Sequence, residues 1–263
     1  MTIIVFTFLL TGIASGFVAG LLGVGGGIII VPVTYFILLQ LGYSSEVVMH
    51  VAIASSLGVI CFTSISSIKS HLKLKNTNLK IVKKWAFGIV FGSIFGSLSA
   101  SYISGENLVI IFIILAFVIS MNMLFQQKPI IINADLPSSK IINFSISSSI
   151  GFFSAIIGIG GGSFSVPALT MFSKKIHEAV GTSAFFGFLI AFPGAITFII
   201  TGLEKKGMPL YSIGYINILI VLIISVTSVF TAGYGARIST NIDKILLRKI
   251  FAIFLLLTCA SLI

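Results

Sequence analysis

Two polar clusters interrupt an otherwise apolar chain: His50-Val-Ala-Ile-Ala-Ser55-Ser56 and His177-Glu-Ala-Val-Gly-Thr182-Ser183. Adjacent hydroxyls can donate to an anion, or bond back to the carbonyl four residues earlier in a helix. Histidine adds a side chain that changes charge near neutral pH, so His50 and His177 are candidate proton-coupling groups. Ahead of each cluster stands a glycine run, Gly23-Val-Gly25-Gly26-Gly27 with Pro32 and Gly158-Ile-Gly160-Gly161-Gly162 with Pro167. Glycine costs about 1 kcal/mol and proline about 3 in a helix interior, so each run predicts a broken helix. Proline is expected in the first turn of the helix that restarts, whose free N–H groups and positive dipole end suit an anion. Ser163 and Ser165 follow the second run where the first has Ile28 and Ile30, so the second run is expected to be the more polar. Helix N-termini and hydroxyls without a fixed charge suit a small anion that must bind and also leave. A neutral polar solute fits the same chemistry.

Other chemistries lack their parts. A dinucleotide or phosphate loop needs a strand before the glycines and an aqueous site, and neither is present in the pattern. All six acids, Glu46, Glu106, Asp135, Glu178, Glu204 and Asp243, fall in connections or at segment ends, so no mid-membrane carboxylate can relay protons. The same distribution counts against an embedded enzyme, which would need a carboxylate dyad, a Ser/His pair or metal ligands at depth. Cys61 and Cys259 lie inside apolar segments and imply neither a disulfide framework nor a metal site. No cofactor, metal or nucleic acid is expected.

The elements that must position these residues are membrane helices. Of the 263 residues 57% are hydrophobic and 8% charged, with a mean hydropathy of +1.19, against about 25% charged in a soluble domain. Apolar runs such as 85–103, 108–125, 213–230 and 250–263 match a hydrocarbon core of about 30 Å. The net charge of +10 sits in short connections, where orientation in a bilayer explains it. The first segment lacks a basic flank, so a cleaved signal peptide is not expected.

An internal repeat organises the chain. Gly16, Phe17, Gly23, Gly25, Gly26, Gly27, Val31 and Pro32 recur in order at Gly151, Phe152, Gly158, Gly160, Gly161, Gly162, Val166 and Pro167. The repeats are expected over 1–128 and 138–263, joined by a polar linker at 129–137. Each begins with a glycine-broken segment, re-entrant or kinked, at 3–41 or 140–173. Three helices follow, near 46–68, 85–103 and 107–126, and near 178–201, 211–236 and 244–263. If the broken segments fold back, 14 Lys and Arg fall on one face and 2 on the other; if they cross, the division is 10 and 6. The positive-inside rule favours folding back, with inverted repeats, both termini outside and the 69–84 loop cytoplasmic. The fold class expected is therefore an all-α membrane protein of two inverted repeats, with a site at mid-membrane between them.

Two copies of Gly-Phe-x5-Gly-x-Gly-Gly-Gly-x3-Val-Pro, each followed by Ser55-Ser56 or Thr182-Ser183, resemble the sulfite exporter TauE/SafE family. The resemblance spans essentially the whole chain. It implies a carrier of small sulfur-containing anions, such as sulfite and organosulfonates, across the bacterial cytoplasmic membrane without a bound cofactor. Carried over by position, the motif residues are Gly25, Gly26, Gly27, Pro32, Ser55 and Ser56, with Gly160, Gly161, Gly162, Pro167, Thr182 and Ser183. A passive anion channel and a membrane-embedded enzyme are the competing classes.

Overall fold

Ten helices carry the chain in the computed structural model, which describes residues 2–125, 131–133, 135–239 and 244–262. They are α1 (Thr2–Leu22), α2 (Gly27–Gln40), α3 (Ser45–Lys73), α4 (Leu79–Tyr102), α5 (Gly105–Phe125), α6 (Lys140–Ile156), α7 (Gly162–Met171), α8 (Ile176–Gly202), α9 (Ile218–Ile238) and α10 (Lys244–Leu262). A two-residue strand pair, Ser212–Ile213 with Ile216–Asn217, is the only sheet among the described residues. Six helices, α1, α3, α4, α5, α8 and α9, are long and apolar enough to cross a bilayer. Large apolar side chains such as Phe87, Phe125, Phe230 and Leu257 stand exposed on the outer surface, which is the surface a lipid solvent requires. The chain is an all-α, multi-pass membrane protein. Pro129, Ile130 and Ala134 of the expected linker, and Asp243, lie outside the described residues.

Polar caps start several helices: Ser44 Oγ accepts from Glu46 N, Asn78 Oδ1 from Lys80 N and Ile81 N, Ser139 Oγ from Ile142 N, and Asn217 Oδ1 from Ile220 N. Small residues then set which helices pair. Gly12, Gly16 and Gly20 of α1 lie against Ile224, Ser228 and Ala232 of α9. Gly88, Gly92 and Gly96 of α4 lie in the same way against Phe144, Ser148 and Phe152 of α6. Without side chains beyond hydrogen the backbones approach closely, and dispersion drives association where lipid removes the hydrophobic contrast. Both registers rise together, so each pair is parallel.

Ser66 Oγ donates to Val229 O and Gly58 faces Val221, so α3 runs with α9; Trp85 stacks on Phe186, Ser93 Oγ donates to Ile190 O and Ser97 faces Gly194, so α4 runs with α8. Leu57 meets Gly194 and Ser64 meets Gly187, so α3 and α8 are antiparallel. At the centre stands α3, with every residue from Val48 to Ile60 buried.

Both broken segments fold back on themselves. α1 ends beside the C-terminal turn of α3, where His71 Nε2 bonds Gly20 O at 3.1 Å, yet Gly27 at the start of α2 lies against Ser56, midway along α3. α2 therefore returns toward the end from which α1 came, closing at the Ser44 cap of α3.

Several boundaries differ from those read in the sequence. The helices restart at Gly27 and Gly162, so Pro32 and Pro167 lie inside α2 and α7 rather than in their first turns. The glycines alone break the helix. Each proline instead deletes one backbone bond in the second turn. α4 begins at Leu79, because Asn78 caps it, and α3 extends through Lys73. α9 begins at Ile218 rather than near 211, since the strand pair and the Asn217 cap occupy the intervening residues.

Candidate functional site

The two glycine runs touch. A Cβ on Gly25 would stand 2.6 Å from the Gly160 Cα, and Gly160 N donates to Val24 O at 3.2 Å. Ile60, the middle of α3, packs on both, so the contact sits at mid-height of the central helix. Around it the runs interlock. Gly27 abuts the carbonyl of Gly158, and Gly162 abuts the carbonyl of Gly23. Gly26 and Gly161 hold the left-handed conformation as N-caps of α2 and α7, at φ 77° and 76°.

Hydroxyls lock the contact from both sides. Ser56 Oγ donates to Gly158 O at 2.7 Å, and Ser183 Oγ donates to Gly23 O at 3.1 Å. Each is fully buried. Their neighbours reach outward to the opposite half: Asn217 N donates to Ser55 Oγ, and Asn78 N donates to Thr182 Oγ1, both at 3.0 Å. The four hydroxyls form two matched pairs, one pair on the breaks and one on the caps of α9 and α4.

Both runs leave two N–H groups free at the helix start, since Ile29 N and Ile30 N likewise both donate to Gly26 O, and α2 buries the partnerless Thr34 hydroxyl, but the second run adds three serines. Phe164 N and Ser165 N both donate to Gly161 O, which leaves the N–H groups of Gly162 and Ser163 without an acceptor inside α7. Ser163 Oγ, Ser165 Oγ and, on α6, Ser154 Oγ are buried without a hydrogen-bond partner among the described residues. Gly162 and Ser163 line a recess with Val24, Asn122, Pro167 and Val180. Its free volume of about 30 Å³ would hold about two water molecules. Ser165, two residues on, falls on nearly the opposite side of α7 and does not line it.

The histidines stand apart from this centre. His50 is buried six residues before Ser56, stacked on Tyr215 at 4.8 Å, with Nδ1 3.1 Å from Glu46 O and Nε2 3.0–3.1 Å from Ile103 O and Ala100 O. It ties the start of α3 to the end of α4. His177 lines an open basin at the opposite end of the bundle, in the first turn of α8. Sequence reading passed over Ser154 and His71. Ser154 lies in the repeat where the first copy has Ala19, and that polar replacement was its only signal. His71 has no counterpart in the second copy to draw attention to it. No cluster of metal-binding side chains occurs among the described residues.

The profile of the sulfite exporter TauE/SafE family matches residues 8–262. A "Probable membrane transporter protein" of Haemophilus influenzae is 34% identical over 262 residues, covering 97% of this chain and 98% of its own. The "Probable membrane transporter protein YunE" of Bacillus subtilis is 31% identical over 73% of this chain and 77% of its own, and "Probable membrane transporter protein MJ0441" of Methanocaldococcus jannaschii 29% over 89% and 86%. No solved structure matches. By profile and by relatives alike, this membrane transporter belongs to the sulfite exporter TauE/SafE family.

Proposed function

We propose that the protein is a secondary carrier of a small sulfite- or sulfonate-type anion, bound at mid-membrane where the two glycine breaks meet. The observation that carries this reading is the N-terminus of α7: N–H groups at Gly162 and Ser163 without an acceptor inside the helix, a partnerless buried Ser163 hydroxyl, and a recess beside them. Donors without a fixed charge favour an oxyanion while letting it go again. Gly25, Gly26, Gly27, Gly160, Gly161 and Gly162 supply the backbone of this site, with Ser163 as its first side-chain ligand. Ser56 and Ser183 brace its wall, Ser55 and Thr182 hold that wall to the caps of α9 and α4, and Ser165 faces away from the recess.

The recess is too small for a sulfonate group, so binding requires the interface between the breaks to open. Two halves that rock against each other provide that motion. Inverted repeats over 1–128 and 138–263, joined through 129–137, account for the helix directions: α3 opposes α8, while α1 and α6, paired with α9 and α4, take opposite senses. That arrangement gathers 14 of the 16 Lys and Arg at one end, which the positive-inside rule assigns to the cytoplasm with loop 69–84, leaving both termini outside.

Proteoliposomes loaded with protein are offered radiolabelled sulfite, taurine and sulfoacetate, with and without a pH gradient. Saturable flux of one probe, with counterflow, is the expected result. Non-saturating flux would make the protein a channel, and no flux of any probe would remove the sulfur anion from the reading.

A further inference from the structure

A second polar cavity lies outside the break. It has a volume of about 700 Å³, is open to solvent at the basic end of the bundle, and is lined by Lys75, Lys80, Lys175, His177, Asn78 and Glu178. A smaller basin of about 220 Å³ adjoins it through Asn78 and Lys80 and adds Lys84 and Lys174. The acids on its walls are engaged: Glu178 Oε1 accepts from Asn78 Nδ2 at 2.7 Å, and Asp135 pairs with Lys174 at 3.0 Å. The basin is about 9 Å across by volume, close to the ~8 Å screening length of physiological salt, so its lysines act together on an anion inside it.

Its floor leads to the break. Thr77 Oγ1 donates to Gly181 O at 3.3 Å, and Asn78 N donates to Thr182 Oγ1 at 3.0 Å. The next residue, Ser183, holds Gly23 O. Three consecutive residues of α8 thus have the basin on one side and the glycine break on the other. The matched cap at the far end, Asn217 on Ser55, follows a connection whose charged residues, Glu204, Lys205 and Lys206, all precede an uncharged turn from Met208 to Ile216.

We infer that this basin is a one-sided vestibule for the carried anion, in which Lys75, Lys80 and Lys175 collect it above the Thr77–Asn78 turn that closes the way to the break. The inference rests on the carrier reading of the break and gives it a loading side. Charge lining a cleft concentrates opposite charge and speeds its capture. The vestibule therefore lowers the concentration needed for half-maximal transport from the basic face, and leaves the far face unaffected.

The test uses the full chain in vesicles of each orientation, with sulfite and sulfoacetate as probes, comparing the parent with Lys75→Gln/Lys80→Gln/Lys175→Gln. From the basic face KM is expected to rise about fivefold or more and to lose its dependence on ionic strength, with KM from the far face unchanged. A second measurement does not need transport. Thr77→Cys is exposed to an anionic and a cationic methanethiosulfonate, with the parent protein as background for Cys61 and Cys259. The anionic reagent is expected to react about tenfold faster relative to a free thiol, and the triple lysine variant to abolish that preference. Equal KM changes from both faces, or a Thr77→Cys thiol without charge preference, overturns the vestibule. Absence of flux in the parent with the reagent preference intact overturns the carrier reading instead.

Discussion

Two glycines with nearly the same backbone angle separate the cost of conformation from the cost of contact. Gly25 has φ +81° and Gly42 has φ +83°, but a Cβ on Gly25 would meet the Gly160 Cα at 2.6 Å, whereas one on Gly42 would meet nothing within 4 Å. Alanine at either position bears the left-handed penalty of about 1–2 kcal/mol. At Gly25 the obstructing atoms are backbone of the other repeat, which can yield only if the interface parts, and overpacking of that kind adds about 1–3 kcal/mol. For a chain of this size 1 kcal/mol moves Tm by about 2–4 °C, so Gly25→Ala is expected to melt about 2–12 °C below Gly42→Ala. Fluorescence-monitored melting of both variants in one detergent measures the gap directly. Gly42→Ala is expected to keep full transport and Gly25→Ala to lose most of it. If the two melt together, the breaks do not touch in the membrane protein, and the site built on their contact is wrong.

Ser163→Ala removes a buried hydroxyl that has no partner, so stability is expected to stay level or rise slightly, while KM rises about tenfold, the equivalent of 1.4 kcal/mol of lost binding. An unchanged KM with either melting outcome removes Ser163 from the site. Ser56→Ala and Ser183→Ala behave oppositely: each breaks a cross-repeat bond, and melting should show a loss of about 0.6–1.7 kcal/mol, similar for both. A large loss from one and none from the other would mean that only one brace holds the breaks together. For proton coupling through the histidines, His50→Gln combined with His177→Gln should abolish any response of uptake to a pH gradient. Unchanged pH dependence ends that proposal, and leaves His50 as the clamp between α3 and α4 that its three carbonyl neighbours make it.

Much of this architecture is legible in the sequence because membrane folding leaves coarse marks. Apolar runs of bilayer length name the spans, and the doubled Gly-x-Gly-Gly-Gly pattern names the breaks. The charge asymmetry alone distinguishes a folded-back segment from a crossing one, and α2 does turn back at Gly27. What the sequence hides is partner choice. Hydroxyls at Ser56 and Ser183 carry no sign that their acceptors lie more than 100 residues away, on Gly158 and Gly23. The glycine stripes at 12, 16, 20 and at 88, 92, 96 are visible, but only packing reveals that one serves α9 and the other α6. Proline misleads for a related reason. Its place at N1 is a statistical preference, while here left-handed glycine caps start the helix and proline falls in the second turn.

The hydroxyl braces respect the resemblance of the two halves, whereas the uncommitted serine hydroxyls do not: Ser154, Ser163 and Ser165 stand where the first repeat has Ala19, Ile28 and Ile30. The helix starts offer the same free N–H groups in both halves, so these serines are the basis for proposing a single binding position on the α7 side of the contact. Ile28→Ser tests this, because it gives α2 the hydroxyl that α7 has. Ile28 is 1% exposed and belongs to the apolar core, so the new hydroxyl is desolvated without a designed partner. The expected result is a loss of about 1–3 kcal/mol in stability with KM unchanged. The opposite result, a lower KM, would mean that the first repeat contributes its helix N-terminus to the anion as well, and that the site straddles the Gly25–Gly160 contact instead of lying on the α7 side of it.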